Sequence, residues 1–124
     1  MSSRYEKGLE IFKELVGEEE FQRLSNSLDV LPDFEHFAME FAFGDIYSRP
    51  GLNRKMRQIG IISSLVTQKT IPLLKVHLRV ALNIGMTKSE ILELILQMVP
   101  YTGFPSAAMA LMAAKEVFET KPSQ

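Results

Sequence analysis

Apolar side chains recur along this chain at three- and four-residue intervals almost from end to end, and no stretch alternates apolar with polar as a half-buried strand would. Ser3 precedes a first helix with Tyr5, Leu9, Phe12 and Val16 on one side, closing near Gly17, and a weaker helix follows from Glu18 to about Ser27. Pro32 and Asp33 open a third, whose stripe of Phe34, Phe37, Ala38, Phe41 and Ala42 predicts a buried face. After the Ser48-Arg49-Pro50-Gly51 turn, Asn53 is placed to cap a fourth helix that is apolar on most sides from Ile59 to Val66, which predicts a central position. Thr70 and Pro72 begin a fifth helix and Gly85 ends it. Thr87 and Glu90 have the spacing of a capping box for a sixth, reaching about Val99. Pro100 to Pro105 reads as a turn, and a last, alanine-rich helix runs from Ser106 to about Phe118. The expectation is an all-α protein, a compact bundle of about seven short helices forming a single domain over residues 1–124.

Composition narrows the chemistry. The chain of 124 residues is 46% hydrophobic and 23% charged, enough apolar material for a core without a metal or disulfide to hold it. Its 14 Lys and Arg balance 15 Asp and Glu with no block of like charge, which argues against nucleic acid or an anionic membrane as partner. Cysteine is absent, so disulfides, thiolate nucleophiles and sulfur metal sites are excluded. The two histidines, His36 and His77, are too few for an ordinary zinc site unless carboxylates complete it, so no metal is expected. The opening MSSRYEKGLE lacks the basic-then-apolar layout of a signal peptide, and the apolar runs near 91–100 and 107–114 are too short to span a bilayer. A cytoplasmic protein follows by elimination.

Three segments carry a pattern beyond helicity. They are Phe43-Gly44-Asp45-Ile46-Tyr47-Ser48-Arg49-Pro50-Gly51-Leu52 with Arg57 close behind; Leu74-Lys75-Val76-His77, then Ala81-Leu82-Asn83-Ile84-Gly85, Glu90-Ile91 and Glu93; and Tyr101-Thr102-Gly103-Phe104-Pro105 ahead of the alanine-rich helix. In this order and spacing the chain resembles the carboxymuconolactone decarboxylase family from Arg4 to Phe118. The resemblance implies the alkyl hydroperoxidase D-like helical fold and a ring-like homohexamer, a trimer of dimers. It also implies decarboxylation of a small carboxylated lactone without a cofactor. Peroxidases of the same superfamily carry a Glu…Cys-x-x-Cys-x-x-x-His motif. Anchored on His77, that motif puts Thr70 and Leu73 at the cysteines and Gln58 at the glutamate. Threonine and leucine can neither attack an O–O bond nor close a disulfide, so thiol peroxidase activity is excluded here.

In a carboxylated unsaturated lactone the electron pair left by departing carbon dioxide delocalises onto the lactone carbonyl. The catalyst must supply cations for the acid, a donor at the developing oxyanion and a proton for carbon. His77 is the candidate proton donor or oxyanion partner: its helical neighbours Leu73, Leu74, Val80 and Ala81 are apolar, while Lys75, Arg79 and Asn83 share another face, so the ring points inward. Periodicity alone favours a core histidine bonded to a backbone carbonyl; the resemblance reverses this in favour of catalysis, at an ordinary pKa of about 6.5. Arg49, in its turn, offers a planar fork for a carboxylate or pairs with a nearby acid. Arg57 on the central helix needs a counter-charge, either substrate or a carboxylate such as Glu93. Glu90, Glu93 and Gln97 form a polar stripe, a solvated edge or a pocket wall. Tyr101 either donates its hydroxyl to substrate or is a buried structural tyrosine. His36 with Glu40 reads as a surface pair without chemistry. The same pocket also suits lactone isomerisation or hydrolysis, and the missing thiols and Gln58 leave room for a non-catalytic oligomeric binding protein.

Overall fold

A computed structural model describes residues 3–120, and among them all regular structure is helical. The chain folds as two compact units, one within residues 3–52 and one within residues 53–120.

In the first unit, α1 (Arg4–Val16) starts where the Ser3 hydroxyl accepts a 3.0 Å bond from the Glu6 amide. It stops at Gly17, whose φ of 88° suits glycine. α2 (Glu18–Ser27) follows, then α3 (Pro32–Phe37), which runs without a break into a π-helix, Ala38–Tyr47. The π-helix exists beside a backbone-to-backbone contact with α1. A Cβ on Gly8 would stand 1.7 Å from the Met39 carbonyl oxygen, and one on Gly44 would stand 2.3 Å from that of Arg4. Only glycine at both places lets the two helices approach so closely. Phe12, Phe21, Phe43 and Tyr47 fill the space beside this crossing, with ring centroids 4.7 Å (Phe12–Phe43), 6.2 Å (Phe12–Phe21) and 5.6 Å (Phe43–Tyr47) apart.

The stripe expected to be buried is not. Phe34, Phe37 and Phe41 are 56%, 65% and 61% exposed, and Met39, Gly44 and Tyr47 face inward instead. In a π-helix the bonding step is five residues. An apolar pattern of period 3.6 therefore loses phase with the core beyond Ala38, which accounts for Phe41; Phe34 and Phe37 lie before it in α3, a short helix that buries none of its residues.

The second unit is conventional. α4 (Arg54–Gln68) is capped by the Asn53 side chain, which accepts from the Met56 amide at 2.8 Å. α5 (Ile71–Asn83) carries Pro72 in its first turn and ends before Gly85, φ 101°. α6 (Lys88–Gln97) has the expected capping box, with Thr87 and Glu90 exchanging bonds of 3.0 and 2.9 Å. The segment read as a turn contains one helical turn, α7 (Val99–Thr102), and Gly103 at φ 90° redirects the chain into α8 (Phe104–Glu119). Ile62, Val66, Leu74, Leu78, Ile91 and Ile95 form the centre, and Ala107, Ala110, Ala113 and Ala114 let α8 lie close upon them. Among the described residues no helix is long and apolar enough to cross a membrane.

Candidate functional site

α4 and α5 pack together, and on their contact lie two polar side chains in aliphatic surroundings. Gln58 on α4 is completely buried, and its Oε1 sits 3.2 Å from Nδ1 of His77 on α5, itself half-buried. Periodicity puts them there: Leu74, Leu78 and Ala81 anchor α5 in the core, and His77 rides at the margin of that face. The ring meets a side-chain amide where a backbone carbonyl was the expected structural partner.

Burial pushes the His77 pKa down to about 4, against the ordinary value of 6.5 assumed from sequence. The imidazole is therefore neutral at pH 7. A carboxamide oxygen only accepts, so this contact is a hydrogen bond in the tautomer that carries the ring proton on Nδ1 and a lone pair on Nε2. This atom can accept a proton and return it; the resting ring is not a charged acid.

The remaining candidates fall in several places. Arg57 is half-buried next to Gln58, its Nε shielded from water. Glu93 is exposed on α6. Of its stripe, Glu90 has structural work: besides the capping box it pairs with Lys55, which together hold its carboxyl below the usual range. Gln97 is exposed, so the stripe is a solvated edge. Tyr101 is 84% exposed on α7, which removes the buried-tyrosine alternative. Thr70 stands at the N-cap position of α5 without a side-chain capping bond, and Leu73 lies exposed in its first turn, so the positions of the peroxidase thiols carry no thiol.

In the other unit, Arg49 is exposed at the edge of an open cleft of about 460 Å³, lined also by Ser3, Arg4, Lys7, Asp45 and Ser48. Three cations and one carboxylate give it a positive balance suited to small anions. Asp45 takes a fork of bonds from Arg4, one of 2.8 Å from Nε, and this pairing holds its carboxyl below the usual range. His36 stacks on Tyr5 at 4.5 Å and pairs with Glu40 at 3.5 Å, the surface feature expected.

Sequence reasoning missed the Gln58–His77 contact and the roles of Arg4 and Lys7 beside Arg49. A signal for the first was present: an amide on a helix otherwise apolar on most sides.

Comparison with known proteins bears on the chemistry. The profile of the carboxymuconolactone decarboxylase family matches residues 32–116. A 4-carboxymuconolactone decarboxylase of Acinetobacter baylyi is 41% identical over 117 residues, covering 94% of this chain and 87% of that protein. A nitrosuccinic acid decarboxylase of Metarhizium robertsii is 30% identical over 113 residues, covering 90% and 79%. An uncharacterised 15.0 kDa protein of Paracoccus denitrificans is 34% identical over 91 residues, covering 72% and 68%.

Proposed function

The chain belongs to the carboxymuconolactone decarboxylase family, and from that premise we propose that it is a cofactor-independent carboxy-lyase for a small carboxylated lactone or related unsaturated acid, with His77 as its proton carrier. Similarity to two decarboxylases supports loss of carbon dioxide as the reaction. Their named substrates share one chemical feature. A lactone carbonyl in conjugation and a nitro group can each receive the electron pair that a departing carboxylate leaves behind. A substrate with its own electron sink needs no pyridoxal or thiamine.

The observation that carries the reading is the neutral, half-buried His77 held at Nδ1 by Gln58. An anionic substrate beside Nε2 raises the ring's proton affinity, because a nearby negative charge favours the imidazolium. The proton is thus taken up as substrate binds and passes to carbon once carbon dioxide has left, which restores the neutral ring. Arg57 and Arg49 are proposed to recognise carboxylates, and Glu93 and Tyr101 to contact substrate. A homohexamer in the cytoplasm completes the proposal: exposed Phe34, Phe37 and Phe41 in one unit, and Tyr101, Phe104 and Met112 in the other, are apolar surface of the kind that subunit contacts cover.

Purified protein given 4-carboxymuconolactone is expected to release carbon dioxide, and His77→Ala to lower that rate by about 10²–10⁴-fold while its circular dichroism is unchanged. Full activity in the variant removes His77 from the mechanism. NMR of the product separates decarboxylation from lactone isomerisation or hydrolysis, since only the first loses a carbon.

A further inference from the structure

We infer that Gln58 is a positioning residue that selects the working nitrogen of His77, holding the resting proton on Nδ1 so that Nε2 is the atom that loads and delivers the catalytic proton. The inference rests on the reading of His77 as proton carrier.

Three observations combine. Gln58 is a wholly buried amide in a helix whose other fully buried side chains, Ile62 and Val66, are aliphatic, where a hydrocarbon of similar size would fill the space without desolvating a polar group. Its Oε1 faces Nδ1 at 3.2 Å, within hydrogen-bond range. That ring otherwise has two tautomers of similar energy, and a fixed acceptor at one nitrogen decides between them.

The proton cycle follows from these contacts. Nε2 gains a proton, giving the imidazolium, while the Nδ1–H bond to Oε1 persists. Nε2 then gives the proton to the carbon that lost carbon dioxide, and its lone pair returns. Neither ring nor amide has to turn over between cycles. A neutral amide also suits this better than a carboxylate would. An ionised partner would form a buried ion pair with the imidazolium and make it a weaker acid toward carbon, whereas the amide fixes the geometry without lowering the acid strength.

The decisive measurement is the ¹⁵N NMR spectrum of the imidazoles in the labelled, ligand-free protein at neutral pH, with His77 identified by the signal lost in His77→Ala. The expected spectrum has a protonated Nδ1 and an unprotonated Nε2; a protonated Nε2 with a bare Nδ1 overturns the inference, whatever the protein catalyses. In Gln58→Leu the two tautomers are expected to mix and kcat to fall about 10²-fold, the lower end of what a positioned proton donor contributes, with KM little changed. Gln58→Glu, whose carboxylate also accepts from Nδ1, is expected to restore the Nδ1 proton but to recover only part of kcat, because the imidazolium it stabilises is a weaker acid. Wild-type kcat in Gln58→Leu overturns the positioning role. Full activity in His77→Ala fails the underlying reading instead, and the tautomer measured in the wild type distinguishes the two failures.

Discussion

Residues 3–52 and 53–120 solve the same problem, burying helices, by opposite means. The second unit relies on side chains: leucine, isoleucine and valine from α4, α5 and α6 close a core on which the alanines of α8 lie. The first relies on their absence, because Gly8 and Gly44 bring α1 and the π-helix together along bare backbone. Each solution leaves a different residue available for chemistry. A tight aliphatic core can take one buried amide and one imidazole and shift the imidazole's proton affinity by desolvation. A short glycine-based crossing puts the ends of its helices at the surface, where Arg4, Lys7 and Arg49 line an open cleft. The comparison teaches that desolvation chemistry and long-range charge attraction need different packing, and that this chain provides both.

The largest expected effect tests the side-chain core. Leu78→Ala removes a side chain with no exposed surface, and urea unfolding is expected to show a loss of about 2–5 kcal/mol; a loss below about 1 kcal/mol would mean that this core is looser than its burial indicates. Next is the pH dependence of the buried ring. Folded His77 protonates near 4, and the unfolded chain near 6.5. Between those values the unfolded state binds the extra proton, so the stabilisation is complete above the upper pKa and is lost as pH falls through the lower one. The difference is about 3 kcal/mol. It is read as the fall in unfolding free energy from about pH 7 to about pH 4 in the wild type beyond that in His77→Gln, and equal falls would contradict the desolvated ring.

Gly8→Ala tests the glycine crossing. Its new Cβ meets a backbone oxygen that cannot swing aside, and a loss of about 1–3 kcal/mol is expected, with faster amide exchange in α1 and the π-helix. The counterpart in the other unit has the opposite sign. A Cβ on Gly60, in the middle of α4, meets nothing within 4 Å, so Gly60→Ala is expected to stabilise by about 0.5–1 kcal/mol. If both substitutions behaved alike, the distinction between the two kinds of packing would fail.

Most helices were legible because their signals are local. Ser3, Asn53 and Thr87 cap where their side chains reach the next amides, Pro72 stands in a first turn, and Gly17 and Gly85 end helices by accepting positive φ. The π-helix was not legible, since an extra residue per turn leaves no mark in composition and is set by how α1 meets Met39 and Gly44. The same limit put Phe41 on the wrong side, whereas Phe34 and Phe37 belong to α3, which buries none of its residues.

By itself the sequence determined the helical class, the exclusion of thiol chemistry through the missing cysteines, and the inward bias of His77, because each follows from residue identity and short-range spacing. Only the tertiary structure decided that Gln58 meets that ring, that the imidazole is neutral, and that Arg4 and Lys7 stand with Arg49 around a cleft. Proton affinity and pairing depend on what surrounds a group in space, and residues 19 apart, as Gln58 and His77 are, become neighbours only when two helices have packed.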